Sequence, residues 1–168
     1  MDIEGDIILR DMESADSQLL EKTFMHTNHS TYTSYYEEML SGESELIIAL
    51  YNGELAGYAK LDWNDEELEE EHIPVIKELH VREGFRNQGI ASRLMDELEK
   101  RAAAKSQYCA IGVGLSEAYE AAQHLLAKRG YEPDGRGIFY IEPGFIHDEL
   151  EVDDNQALMM IKKINEVI

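Results

Sequence analysis

A single mixed α/β (α+β) domain covering residues 1–168 is the fold class that the sequence predicts, on three observations. Two β-rich runs, ELIIALY and ELAGYAKLDW, flank Asn52-Gly53, a dipeptide that tolerates the positive φ angles of a two-residue hairpin turn. Downstream of Gly89, the residues Ile90, Leu94, Leu98 and Ala102 recur every four positions, with Met95 beside them, and mark one apolar helix face. At 168 residues, 43% of them hydrophobic and 30% charged, the chain is long and apolar enough for one core.

The elements follow in order. DIILRDM reads as a first strand, and Asp16 to Met25 and Ser30 to Leu40 as two helices, the second ending near Ser41-Gly42. After the hairpin, seven of the ten residues from Asp62 to Glu71 are acidic, a self-repelling run that reads as a solvated loop. PVIKELHV is a strand with Pro74 at its start, where a missing N–H is tolerated. Then come the helix from Gly89 or Ile90, the strand QYCAIGVGL and the helix AYEAAQHLLAKRG closed by Gly130. GIFYIEP and ALMMIKKI are two late strands.

Thirty-five acidic against fifteen basic residues give a net charge of −20, which disfavours nucleic acid and anionic lipid and suits cationic or neutral partners. No run approaches the roughly 18 apolar residues of a membrane span, and no basic leader precedes an apolar stretch, so a cytoplasmic location is expected. The one cysteine, Cys109, lies in an apolar run and reads as a buried small hydrophobe. His26, His29, His72, His124 and His147 lack metal-like spacing, and no metal is expected.

Against this acidity, Ile76 to Lys105 holds seven basic and five acidic residues, a local balance of +2. Arg82, Arg86 and Arg93 stand there around NQGIAS, between a strand and a helix. The first amides of a helix have no intrahelical partner, and with the helix dipole they make a phosphate site. Gly89 lets the main chain approach a ligand, and Ala91 keeps the first turn slim. A P-loop is excluded because Ile90 and Ala91 follow Gly89 where Lys and Ser or Thr are needed. Gly112-Val113-Gly114 lacks the third glycine of a dinucleotide fingerprint. From the glycine alone, the segment reads better as a tight strand-to-helix turn with solvated arginines than as a phosphate site.

ELHVREGFRNQGIASRLMDELEKRA resembles the coenzyme A binding core of the GNAT-type N-acetyltransferase superfamily, in which Arg86, Gly89 and Ala91 meet the pattern Arg or Gln, two residues, Gly, one residue, Gly or Ala. AAQHLLAKRGY resembles the family's later helix ending in Gly and an aromatic residue. The resemblance implies a mixed, mostly antiparallel central sheet flanked by helices, and an enzyme that moves an acetyl group from acetyl-CoA to an amine acceptor by direct attack. It implies that backbone groups at Leu79, His80 and Val81 pair with the pantetheine arm. Asn87, Gln88, Gly89, Ile90, Ala91 and Ser92 would surround the diphosphate, and an N–H near Leu79 would face the oxyanion. Homodimers are common among proteins resembling this one. The sequence departs from the family where a Tyr often protonates the leaving thiolate, a position held here by Leu126, and Tyr119 replaces an Asn. Those departures leave one alternative, a binding module that senses acetyl-CoA without turnover.

An amine arrives as an ammonium ion and must lose a proton before it attacks. Glu78 and His80 alternate onto one face of the strand beside the expected thioester. Glu78 is the preferred base because a carboxylate also attracts the cation, with a salt bridge to Lys77 or Arg82 as its structural alternative. His80 reads equally as a packed polar side chain. Tyr119, Tyr131 and Tyr140 are phenols within the later elements, and none is singled out as an acid. The cluster Tyr32 to Tyr36 reads chiefly as helix packing, with an acceptor cleft as the alternative. The acceptor remains open among small amines, polyamines, amino-sugar drugs and protein amines, as does the length of the acyl chain.

Overall fold

The computed structural model describes residues 5–24, 31–63, 73–115, 119–140 and 156–164. Its elements are β1 (Ile7–Asp11), α1 (Asp16–Phe24), α2 (Thr31–Leu40), β2 (Ser44–Tyr51), β3 (Glu54–Asp62), β4 (Val75–Val81), α3 (Ile90–Ala103), β5 (Tyr108–Gly114), α4 (Glu120–Lys128), β6 (Glu132–Tyr140) and β7 (Gln156–Lys163). Seven strands form one sheet in the order β1-β2-β3-β4-β5-β7-β6. Every neighbouring pair is antiparallel except β4 with β5. The mixed, mostly antiparallel sheet is the one expected. Among the described residues, no helix is long and apolar enough to cross a membrane.

The β2–β3 hairpin turns through Asn52 and Gly53 at φ 50° and 88°, the pair of positive angles that such a turn demands. On one face of the sheet, α3 buries Ile90, Leu94, Met95, Leu98 and Ala102, the residues of its predicted stripe, against Ile47, Ala59, Leu61 and Ile111. Leu126 of α4 and the buried Cys109 join that core. Burial pushes the Cys109 thiol up to about 12, consistent with an inert core residue. On the opposite face, Leu20 of α1 and Tyr32 of α2 pack with Leu46, Ile48 and Tyr58. At the end of α4, Gly130 adopts φ 96° while Tyr131 N–H donates to Leu126 O and Gly130 N–H to Ala127 O, which closes the helix as predicted.

One strand starts earlier than its sequence suggests. Pro133, Asp134 and Gly135 carry a turn composition, yet β6 begins at Glu132 and absorbs them as an irregularity between Pro133 and Ile138, with Gly135 at φ 86°. Residues 141–143, the end of the predicted strand, lie outside the described residues, as does most of the acidic run after Asp62.

The junction of β1 and α1 is tied by Asp16, whose carboxylate accepts from both terminal nitrogens of Arg10 (2.8 and 3.0 Å) and from the Glu13 amide (2.7 Å). Burial opposes its ionisation, but the Arg10 hydrogen bonds, the Glu13 amide and the Arg10 charge outweigh burial and hold the carboxyl below the usual aspartate value. A carboxyl lowered in the folded state adds stability that is complete above its unfolded pKa and disappears as pH falls through the folded one. Asp16→Asn is therefore predicted to lose about 1–3 kcal/mol in urea denaturation at neutral pH. The gap from the unmodified protein should close as pH drops below about 4.

Candidate active site

The site begins with a slip in strand register. Along β3 and β4, Lys60 faces Glu78 while Leu61 faces Ile76, so Lys77 is an extra residue, a β-bulge. A regular strand would put Ile76, Glu78 and His80 on one face. The bulge breaks that alternation, sending Ile76, Leu79 and Val81 into the α3 side of the core and Glu78 and His80 to the side of α1 and α2.

The same slip decides where the backbone points. Ahead of it, Ala110 N–H of β5 donates to Pro74 O. Past it, Arg82 N–H donates to Ala56 O. That bond places the even-numbered residues in hydrogen-bonded register with β3, so by alternation Leu79 and Val81 turn their N–H and C=O groups toward β5. Among the described residues, β5 meets β4 at only two pairs, Val75 with Ala110 and Ile76 with Ile111, before turning its length to β7. The sheet therefore splits beside Leu79 and Val81. Val81 O accepts from Arg86 Nε (3.2 Å). Gly57, opposite Val81, has no room for a side chain, since a Cβ there would run into the His80 carbonyl.

The split leads to the glycine corner. After a short 3-10 turn (Glu83–Phe85), Asn87 and Gly89 take φ 64° and 79°, and Gly89 serves as the N-cap of α3. A glycine cannot cap with a side chain, and the bond from Arg93 N–H to Gly89 O (3.0 Å) opens the helix, so the amides of Ile90, Ala91 and Ser92 precede its ladder. Arg86, Asn87, Gln88, Gly89 and Arg93 are exposed. Arg82 turns to Leu55 O (2.8 Å) and lies over the Phe85 ring.

Glu78 is 5% exposed, and both of its oxygens are engaged: Tyr35 Oη–H donates to Oε1 (2.8 Å) and Oε2 shares a hydrogen bond with His80 Nε2 (2.6 Å). Beside it Tyr58 hydrogen-bonds Tyr32, hydroxyl to hydroxyl (3.1 Å), and its ring lies 5.1 Å from that of His80. Burial, with the charge of Glu78 next, raises the Tyr35 and Tyr58 phenols far above their ordinary value, so both stay neutral. Lys60 is buried between Glu38 (2.8 Å) and Asp62 (2.7 Å), under the Tyr35 ring. Burial alone would depress its ammonium, but Asp62 and Glu38 outweigh it and hold Lys60 above the usual lysine value. It is a fixed cation.

Sequence reasoning brought Glu78 and His80 to one face, where they stand. It left the aromatic cluster mainly to packing; Tyr32 is indeed buried, but Tyr35 reaches Glu78. Lys60 and Tyr58 were missed, although a lysine inside the apolar strand AGYAKL is the signal of a buried, paired cation. Leu126 is buried in the α3 side of the core, the Tyr119 ring covers Gly114, and Tyr131 donates to Glu99 (2.9 Å). The side chain of Tyr140 and residues His26, His29, His72 and His147 lie outside the described residues. No metal-ligand cluster occurs among the described residues.

The sequence matches the family model described as "Acetyltransferase (GNAT) family" over residues 10–131. No curated protein matches it significantly. Among solved structures it is similar to yncA from Salmonella typhimurium with its cofactor acetyl-CoA (TM-score 0.73, 12% identity, covering 97% of this chain and 96% of the other). It is also similar to a ribosomal-protein-alanine N-acetyltransferase from Brucella melitensis (TM-score 0.72, 18% identity, 93% and 99%). A third is a chimera of the spermidine N-acetyltransferase SpeG from Vibrio cholerae and hSSAT (TM-score 0.71, 11% identity, 94% and 95%).

Because no atom lies within 4 Å of a Cβ built on Gly89, its requirement is one of φ alone. Gly89→Ala is predicted to cost about 1–2 kcal/mol in ligand-free denaturation. An unchanged midpoint would show that the left-handed cap is not needed.

Proposed function

The chain belongs to the acetyltransferase (GNAT) family, and we propose that it transfers an acetyl group from acetyl-CoA to the nitrogen of a cationic primary or secondary amine. The observation that carries this reading is the split beside Leu79 and Val81, which runs from the buried Glu78–His80 pair to the glycine-capped start of α3.

The residues present fit the coenzyme. Leu79 and Val81 offer main-chain groups at the open edge, as an added strand would use them. His80 contributes its side chain instead, its backbone being engaged with β3. Amides from Asn87 to Ser92, the helix dipole and the exposed Arg86 and Arg93 suit a diphosphate. When bound, acetyl-CoA supplies a thioester whose acyl carbon gains the amine nitrogen as its C–S bond breaks; the ammonium proton goes to a base and the thiolate takes one from solvent. The base is drawn from Glu78 and His80, and the Leu79 N–H is the nearest main-chain donor for the oxyanion.

Charge favours a cationic acceptor. On the Glu78 face, Glu38, Asp62 and Glu78 set three carboxylates against the ammonium of Lys60, within a chain of net −20. Such a field raises the local concentration of cations. Two neighbours are named for a protein alanine and for spermidine, acceptors that are ammonium ions at neutral pH. The coenzyme-sensing alternative drew on Leu126, whose burial in the core makes that residue a packing choice.

The test is release of coenzyme A thiol across an amine panel, with products identified by mass. Spermidine or an alanine-led basic peptide should show kcat/KM at least about tenfold above that of an acidic peptide, and the margin should shrink as salt rises. Coenzyme A bound without turnover on any amine would favour the sensing module. No thermal stabilisation by coenzyme A would remove the coenzyme altogether.

A further inference from the structure

We propose that Phe85 is a positioning residue for the coenzyme, and that through it the turn end of the β2–β3 hairpin sets how tightly the diphosphate is held. This rests on the acetyltransferase reading and deepens its coenzyme site.

Between Val81 and Ile90 the chain runs through residues 82–89, and Phe85 is the one among them that is not exposed. Its ring packs on the α3 side of the core, 5.7 Å from the Tyr51 ring at an angle of 60°. The Arg82 guanidinium lies 5.3 Å from the same ring and donates to Leu55 O (2.8 Å), while Arg82 N–H donates to Ala56 O (2.7 Å). Tyr51, Leu55 and Ala56 all belong to the end of the hairpin that carries the Asn52-Gly53 turn. Tyr51 is backed in turn by the chain ahead of β1, where Gly5 passes so near its ring that a Cβ there would run into it. Asp6 N–H donates to Asn52 Oδ1 and Asn52 N–H to Asp6 O, each at 2.8 Å, which fixes that crossing over the turn.

The corner beyond Phe85 depends on this anchor. Arg86 is tied through its N–H to Glu83 O (3.4 Å) and through Nε to Val81 O (3.2 Å), and Asn87 follows at φ 64°, a conformation that a free asparagine visits only part of the time. A segment that holds its binding geometry for a fraction of the time binds with an affinity lowered by that fraction. Phe85 raises the fraction: its N–H closes the 3-10 turn on Arg82 O (2.8 Å) while its ring fastens that turn to the sheet. Arg82 therefore acts through Phe85 rather than on the phosphates. The thioester end lies beside Glu78, away from the corner, so loss of the anchor is felt in coenzyme binding and not in acyl transfer.

Calorimetric titration with coenzyme A, acetyl-CoA kinetics with the best amine of the panel and amide exchange on the same variants test this. Phe85→Ala should raise Kd for coenzyme A and KM for acetyl-CoA at least about tenfold while kcat stays within about twofold, and Phe85→Tyr should restore both. Tyr51→Leu, outside the residues assigned to the coenzyme, should raise Kd about three- to tenfold, and added to Phe85→Ala it should bring less than about twofold more. Without ligand, the amides of residue 85 and of Arg93, which bond Arg82 O and Gly89 O, should exchange at least about tenfold faster in Phe85→Ala, with those at the centre of β3 unaltered. If circular dichroism shows Phe85→Ala unfolded, Tyr51→Leu carries the decision; if no amine is turned over, Kd does. The proposal is overturned by a folded Phe85→Ala protein that binds coenzyme A as the unmodified one does, by a loss confined to kcat, or by Tyr51 and Phe85 effects that simply multiply. If the unmodified protein binds no coenzyme A while Phe85→Ala speeds exchange at 85 and 93, the acetyltransferase reading fails and the anchor stands; without the faster exchange both fall.

Discussion

The extra residue at Lys77 is the constraint on which the site depends. A strand has only two faces and two edges, so one inserted residue reassigns both at once. Without it, Glu78 would follow Ile76 into the core beneath α3, where a carboxylate has no partner. With it, the apolar Leu79 and Val81 take that face and the polar pair moves to the other. The main-chain groups of Leu79 and Val81 also pass from β3 to the edge where β5 has departed. The slip thus creates the donors at the opening and the titratable side chains beside it in one stroke. Gly57 completes the arrangement, since only a residue without Cβ lets β3 lie against the His80 carbonyl.

The polar groups on that face are held at some cost in desolvation and recover it by mutual pairing. Lys60 alone would be untenable there; between Glu38 and Asp62, beneath Tyr35, it remains charged. Ser44 Oγ–H also donates to Asp62 (2.7 Å), which fixes the carboxylate that Lys60 needs. Tyr35 belongs to both halves of the network, its ring over Lys60 and its hydroxyl on Glu78. Removing one member of such a network leaves another buried group unpaired, the reason a polar cluster of this kind is rigid. Rigidity of this kind keeps Glu78 and His80 in one alignment on the sheet face. On the far side of the sheet, Arg129, Tyr131 and Lys162 converge on Glu99 and tie α4 and β7 to α3, a structural counterpart that leaves the opening undisturbed.

Local signals were legible in the sequence, and long-range ones were not. The Asn52-Gly53 turn, the four-residue apolar rhythm from Ile90 and the glycine cap each depend on neighbours within a few residues, and each stands where it was expected. The family resemblance supplied the sheet, and the alternation of Glu78 with His80 was readable because two residues apart on a strand share a face. Lys77 could not be recognised as a bulge, since register belongs to a pair of strands rather than to either one. Tyr35 lies 43 residues from Glu78, and only the packing of α2 on the sheet reveals their bond. The start of β6 was obscured because Asp134 and Gly135 have turn chemistry that the strand tolerates as an irregularity.

Amide hydrogen exchange with and without coenzyme A tests the account at its centre, because the bulge assigns alternate amides to different edges. Saturating ligand should slow exchange at Leu79 and Val81 and at Ile90, Ala91 and Ser92, while His80, already bonded to β3, keeps its rate. Protection that falls on His80 instead, or binding that leaves Leu79 and Val81 unchanged, would contradict it.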